Sequence, residues 1–293
     1  MWQARWVASH LEQRGVNCEL VPMDTKGDRQ LDVAIPEIGS KGVFTEDLER
    51  ELASGTIDLA VHSAKDMPSE LPMGFELIAF TDREQAHDVL VSHKAIGDIN
   101  QMTIGTSSVR RVALLKHFYP GVKTVSIRGN LQTRVGKLDT GEIDAVMLAY
   151  AGVTRMDLAK MIKHNFPVDQ VIPAVGQGSM AIEVSKELTD SKRKLIRDAV
   201  NHQKTEQCLL AERTFLKTIQ GGCSIPAFAH ARLFNKTIHL AGGVVSLEGQ
   251  QMIQFQIEGE QGKSPEIGAQ LATRVLNSGG KEILDVVKMI QKK

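Results

Sequence analysis

The sequence predicts an α/β protein. Two lobes of similar topology enclose a cleft and share a hinge, and a small α+β C-terminal domain with a three-stranded antiparallel sheet follows. Three observations carry this reading. Leu52-Ala-Ser-Gly55-Thr-Ile57-Asp58 returns as Leu138-Asp-Thr-Gly141-Glu-Ile143-Asp144, each a helix end, a glycine stop and the start of a buried strand. Two copies of one αβ unit imply two lobes, and ligands favour the cleft between such lobes. Val171-Ile-Pro-Ala-Val-Gly-Gln-Gly-Ser179 reads as extended and flexible, fit to carry the chain back from the second lobe to the first. Beyond it, three alternating strands separated by turn residues read as an antiparallel sheet.

The 293 residues allow two or three domains with a substantial core. Zero formal net charge means that no global field draws the chain to nucleic acid or a membrane surface. No apolar run approaches the length of about 18 residues that a spanning helix needs, and the N-terminus carries no secretory signal pattern. Cys18, Cys208 and Cys223 are odd in number and widely spaced. They suggest neither a disulfide framework nor a zinc site, no metal is expected, and a reducing cytoplasm is the expected location.

In chain order, Trp2, Trp6, Val7 and Leu11 share a helical face, with Gly15 as its stop. Residues 18–23 look like a strand, which makes Cys18 a core residue. Residues 24–30 are turn-rich, and the glycine-bearing loop at 38–44 places Lys41 ahead of a helix start, a setting that suits an anion. Glu46 to Ser54 reads as a helix closed by Gly55, and 57–61 as a short buried strand. That strand ends in His62, Ser63, Lys65 and Asp66, with Pro68 blocking helical continuation. Loops at the carboxyl ends of such strands line the ligand crevice, so an imidazole, a hydroxyl, a cation and an anion are expected at one site. The plainer reading is a solvated Lys-Asp pair at a strand end.

The second lobe has the most unusual charge pattern. Between Ile99 and Leu138 there is no acid, yet Arg110, Arg111, Lys116, Lys123, Arg128, Arg134 and Lys137 all fall there. Thr103-Ile104-Gly105 reads as a strand, Thr106-Ser107-Ser108 as a helix cap, and Val109 to Phe118 as the helix. Hydroxyls and free N–H groups at a helix start bind carboxylate or phosphate, whereas Arg110 and Arg111 in that first turn oppose the helix dipole. That opposition suggests they are held for a ligand. Arg128 follows a strand at 125–127, Arg134 lies on the next helix, and Arg155 follows the strand at 145–149. Arginine forks match carboxylates, so a small polyanion is the expected ligand. A nucleic-acid surface is the weaker alternative, because Tyr119 and Tyr150 are the only tyrosines and form no stacking platform.

Met180 to Val184 reads as a strand. Thr205 is placed to cap a helix bearing Cys208, Ala211, Phe215 and Ile219 on one face. Cys223 differs from the other cysteines, lying in Gly221-Gly-Cys-Ser-Ile-Pro226, a tight loop where a thiol can be reactive. Strands are expected at 227–233, 237–245 and 252–258, turning near Asn235 and Gly249. Ser264-Pro265 opens a helix that ends at Gly279-Gly280, and a last helix runs through Ile283, Val286, Val287 and Ile290.

Several of these segments, in order and spacing, resemble the porphobilinogen deaminase (hydroxymethylbilane synthase) family of tetrapyrrole and heme biosynthesis. They are Lys41-Gly-Val-Phe44, Val61-His-Ser-Ala-Lys-Asp66, Gly105-Thr-Ser-Ser-Val-Arg-Arg111, Arg128-Gly-Asn-Leu-Gln-Thr-Arg134, Ala174-Val-Gly-Gln-Gly178, Ala211-Glu-Arg213 and Gly221-Gly-Cys223. The resemblance covers essentially the whole chain. It implies two periplasmic-binding-protein-like lobes, over 1–81 with 179–200 and over 86–174, and a C-terminal cofactor-cysteine domain over 203–293. It also implies a transferase that joins four porphobilinogens into hydroxymethylbilane with loss of ammonia. The family's primer is a dipyrromethane cofactor, thioether-linked at the position of Cys223.

By the same resemblance Asp66 is the catalytic aspartate. Lys41, Ser63, Lys65, Thr106, Ser108, Arg110 and Arg111 contact the cofactor, and Arg128, Arg134, Arg155 and Gln177 the substrate. The partner implied is porphobilinogen, with neither nucleic acid nor membrane, and the protein is expected to be a monomer. Two departures stand out. The family opens with a strand and a Gly-or-Ala-Thr-Arg-x-Ser loop, whereas here Met1 directly precedes Trp2-Gln3-Ala4, so a central strand of the first lobe is expected to be missing. Glu37 stands where many members carry a basic residue. The alternatives are a catalytically impaired truncated form and a non-enzymatic two-lobed binder of a small polyanion, which would not need Cys223.

Overall fold

A computed structural model describes residues 1–23, 45–222 and 224–291. Lys41, Cys223, Glu37 and the loops at 24–30 and 38–44 lie outside the described residues. Helix α1 (Trp2–Glu12) buries Val7, Ala8 and Leu11 in the first lobe, with Trp6 beside them. The strand expected at 18–23 does not form. A strand exists only through its ladder, and no described strand pairs with this segment. Leu20 and Val21 are exposed and Cys18 only half-buried.

Helix α2 (Glu46–Ser54) has three acids in its first turn, which suit its dipole. It closes on Gly55 at φ 74°, a left-handed cap that favours glycine. Strand β1 (Ala60–Ser63) begins later than expected, because its pairing starts at Ala60 opposite Glu183. One 3-10 turn, Ala64–Asp66, follows, and then β2 (Phe75–Phe80).

Residues 81–87 cross to the second lobe, which contains β3 (Asp88–Val91), β4 (Thr103–Gly105), α3 (Val109–Phe118), β5 (Lys123–Val125), α4 (Leu131–Gly136), β6 (Ala145–Ala149), α5 (Tyr150–Arg155) and β7 (Ile162–Asn165). Its sheet order is β5-β4-β6-β3-β7, with β4 parallel to β5 and β6 and with β3 antiparallel to β6 and β7. The chain then returns through 166–179 to β8 (Met180–Ser185), which lies between β1 and β2 and antiparallel to both. The repeat seen in sequence is therefore topological. Gly55 and Gly141, both left-handed, each precede a strand that pairs antiparallel with the strand arriving from the hinge. The returning segment is not the flexible stretch expected: Val171, Ile172 and 175–179 are buried.

Helix α6 (Asp190–Val200) completes the first lobe, and α7 (Gln203–Thr218) leads into the third domain. The cap of α7 is His202 rather than Thr205, which lies inside the first turn with its Oγ1 2.8 Å from His202 Nδ1. Strands β9 (Ala227–Phe234), β10 (Thr237–Val245) and β11 (Met252–Glu260) form an antiparallel sheet in the order β11-β10-β9. Helix α8 (Ser264–Val275) crosses α7 so closely that a Cβ on Gly268 would stand 2.2 Å from the Ala211 carbonyl oxygen. Helix α9 (Lys281–Gln291) runs through the residues expected and buries Ile283, Leu284 and Val287 while exposing Val286 and Ile290.

The third domain touches both lobes. Phe228 and Val245 join the core of the second lobe, while Leu209 of α7 packs with Ala64, Met67 and Phe80 of the first. Among the described residues no helix is long and apolar enough to cross a membrane.

Candidate active site

On the first lobe the site is the 3-10 turn after β1. Ala64 donates its N–H to the Ser179 carbonyl at 3.0 Å. Gly176, at φ 77°, approaches the turn so closely that a Cβ there would lie 2.8 Å from the Ala64 carbonyl carbon. Arg213 of α7 donates to the Pro68 carbonyl at 2.8 Å. With Ala64 and Met67 buried, the turn is fixed from three sides, and Asp66 stands exposed between these anchors.

Burial is the main influence pulling Lys65 below the ordinary lysine value. Asp66 and Asp88 oppose that pull, and Arg111 and Arg110 add to it. Ser63 Oγ accepts from Gln3 Nε2 at 2.9 Å, a neighbour that the sequence did not single out. His62 does not join the site. It alternates to the opposite face of β1 from Ser63, and its Nε2 lies 2.8 Å from Glu183 Oε2 inside the lobe.

On the second lobe, Ser108 caps α3 by accepting from the Arg111 N–H, and Thr106 Oγ1 accepts the Ser108 N–H at 3.3 Å. Arg110 and Arg111 are 4% and 5% exposed, and an acid that sequence reasoning missed holds them both. Asp88, which opens β3 and is fully buried, accepts Arg110 Nη2 at 2.7 Å on Oδ2 and Arg111 Nη2 at 2.7 Å on Oδ1. This pairing offsets the unfavourable place of two cations in a first helical turn. Burial works against the Asp88 carboxylate, yet the two arginines hold its pKa far below the usual range.

Gln177 also differs from expectation. It is 1% exposed, its Nε2 donates to Ala86 O at 2.6 Å and Asp88 Oδ1 at 2.9 Å, and its Oε1 accepts from Arg111 at 3.4 Å. Its amide is spent inside the protein, so it meets the site through Arg111.

Arg134 Nε donates to the Gly129 carbonyl at 2.8 Å. Its pKa is lowered chiefly by burial, then by Arg111 and Arg128, and Asp66 opposes the shift, which brings charges of both lobes into one field. Arg128 is half-buried where it follows β5. Arg155 donates to Gly178 O at 2.8 Å and lies over the Trp2 ring at 5.3 Å. It lines a cavity of about 410 Å³ with Trp2, Trp6, Thr81, Arg83 and Thr154, which Asp66 does not line.

A fixed acidic turn on one lobe and a bank of arginines on the other define a class: two-lobed α/β proteins with an acid on one lobe and clustered arginines on the other. Comparison with known proteins narrows it. The family profile "Porphobilinogen deaminase, dipyromethane cofactor binding domain" matches residues 1–193, and "Porphobilinogen deaminase, C-terminal domain" matches residues 206–277. The chain is 54% identical to the porphobilinogen deaminase of Desulfosudis oleivorans, over 99% of this chain and 95% of that one. It is 46% identical to that of Cytophaga hutchinsonii, over 98% and 93%. Among solved structures, a double mutant of the Bordetella pertussis BvgS VFT2 domain superposes at a TM-score of 0.42 with 16% identity, over 68% of this chain and 76% of that one. The chain belongs to the porphobilinogen deaminase family.

Proposed function

We infer that this chain condenses four porphobilinogens head to tail with release of four ammonias and, by a final hydrolysis with one water, yields hydroxymethylbilane, primed on a dipyrromethane linked to Cys223 through a thioether. Its family membership supports the reaction and the cofactor. The observation that carries the site is a fixed, exposed Asp66 together with a bank of arginines on the other lobe, of which Arg110 and Arg111 share one carboxylate among the described residues. The described residues fit a carboxylate-bearing cofactor: Arg110 Nε is buried and has no hydrogen-bond partner among them.

Lys65, Ser63, Thr106, Ser108, Arg110 and Arg111, with Lys41, would hold the cofactor. When bound, dipyrromethane supplies the pyrrole end onto which units are added. Arg128, Arg134 and Arg155 receive the carboxylates of incoming substrate, and Gln177 steadies Arg111. Porphobilinogen, reacting as its protonated aminomethyl form, loses ammonia as the C–N bond breaks and the electron pair leaves with nitrogen, so the ammonium's positive charge passes to the pyrrole methylene. Asp66 offsets that charge and is placed to take the proton released when the rings join.

Asp66→Asn should keep ligand binding and lower turnover by roughly 10²–10⁴-fold, the usual worth of a positioned acid–base group. Near-normal turnover in a steady-state assay would remove Asp66 from that role. Intact-mass measurement of the wild type should show an adduct equal to two porphobilinogens less two ammonias. Cys223→Ser should lack it.

A further inference from the structure

The buried cluster around Asp88 holds more than its internal balance requires. One carboxylate faces two guanidinium groups. The carboxylate is saturated. Oδ2 takes Arg110 Nη2 at 2.7 Å, while Oδ1 takes Arg111 Nε at 3.1 Å, Arg111 Nη2 at 2.7 Å and Gln177 Nε2 at 2.9 Å. The outer nitrogens are tied as well, Arg110 Nη1 to Ile172 O at 2.8 Å and Arg111 Nη1 to Met147 O at 3.1 Å. What remains is Arg110 Nε, buried and without a hydrogen-bond partner among the described residues. A buried ion cluster kept only for stability gains by balancing its charges and satisfying its donors. This one leaves two guanidinium charges against one carboxylate among the described residues and one donor unmet, while fixing both arginines in orientation.

We propose that Asp88 is a positioning residue for the polycarboxylate ligand, acting through Arg110 and Arg111. It locks the two guanidinium planes before the ligand arrives, so no ordering is needed on binding. It also neutralises only one of their two charges, and no second carboxylate among the described residues pairs with them, which leaves them able to draw an anion from outside. Gln177 extends the lock to the hinge, since the same amide holds Asp88 and the Ala86 carbonyl. The inference rests on the reading above, in which Arg110 and Arg111 contact the cofactor.

The experiment uses full-length apo-protein incubated with porphobilinogen, with adduct formation followed by intact mass and folding by circular dichroism and thermal midpoint. Asp88→Asn, which keeps an acceptor oxygen but no charge, should remain folded and load roughly tenfold more slowly or worse, because small displacements of binding groups carry effects of that size. Asp88→Ala should load more slowly still. Formate should restore its loading and raise its thermal midpoint, while chloride at equal ionic strength does neither and the wild type responds to neither.

Wild-type loading rates in a folded Asp88→Asn would overturn the proposal. So would a folded, slow-loading Asp88→Ala that ignores formate, because a missing carboxylate would then not be the defect. If Asp88→Ala does not fold, Asp88→Asn decides by its loading rate. A wild-type chain that never takes up the adduct would instead count against the proposed function. In that case the formate-dependent midpoint of Asp88→Ala still tests the anchoring of the arginines.

Discussion

Asp88 and Glu212 are both fully buried carboxylates with arginine partners beside the hinge, yet they are wired differently. Asp88 answers two arginines from a single helical turn of one lobe. Glu212 answers one arginine and gathers distant segments. Arg83, in the outgoing crossing, donates to both its oxygens at 2.5 and 3.1 Å. The Gly176 N–H, in the returning crossing, donates at 2.8 Å, and the Ala231 N–H of β9 at 2.7 Å. His230, which burial pushes toward its neutral form, completes the surroundings with Nδ1 3.7 Å away. Glu212 is thus balanced in charge and joins both crossings to the third domain, whereas Asp88 faces two arginines and reaches the returning crossing only through the Gln177 amide. Charge balance separates a carboxylate that holds the architecture together from one that prepares a binding surface.

The sharpest way to break this comparison is Glu212→Ala. The substitution leaves Arg83 charged and buried without its partner and strands two backbone donors. A loss of about 3–5 kcal/mol is expected, the range for breaking a buried pair from one side. Urea unfolding followed by far-ultraviolet circular dichroism measures it. A loss below about 1 kcal/mol would place Glu212 with ordinary surface acids.

The second prediction concerns acid. Burial disfavours the charged form of Glu212, but Arg83 and His230 outweigh it and bring the pKa from 4.5 to about 2. As pH falls, the unfolded chain takes up this proton first. The stabilisation is therefore complete above about 4.5 and is lost progressively as pH falls through about 2. The shift sets a ceiling of about 3 kcal/mol. Glu212→Gln should be less stable than wild type at pH values near 6 and close the gap as the pH approaches the folded pKa. A gap of constant size across that window would show that the ionised form of Glu212 is not what stabilises the hinge.

Much of the fold was legible because its signals are local. Glu46 to Gly55, the Ser108 cap with its helix, and the three strands of the last domain declare themselves within a few residues. The misreadings share a cause in partners distant along the chain. Residues 18–23 have the composition of a strand, but no described neighbour pairs with them. The arginines of α3 were visible as a cation cluster, while Asp88, 22 residues before Arg110 in sequence, sits at the head of an apolar strand with nothing local to mark it. Strand alternation could have found one error, since it sends His62 and Ser63 to opposite faces of β1.

The smallest expected effect comes from an acid that the internal repeat singles out. Asp58 and Asp144 occupy equivalent places, each just before the strand that follows its glycine stop. Asp144 Oδ2 accepts the Thr103 N–H at 2.7 Å and so ties β4 to β6. Asp58 instead meets Lys192 of α6 at 2.7 Å, with the two side chains 59% and 56% exposed. The Lys192 pair joins distant parts of the chain, as the Glu212 contacts do, but water already solvates both partners. Lys192→Ala should therefore change stability by no more than about 0.5 kcal/mol and fade further with added salt. If it were as damaging as Glu212→Ala, connectivity rather than burial would set the worth of these ion pairs, and the contrast between the two buried carboxylates would lose its physical basis.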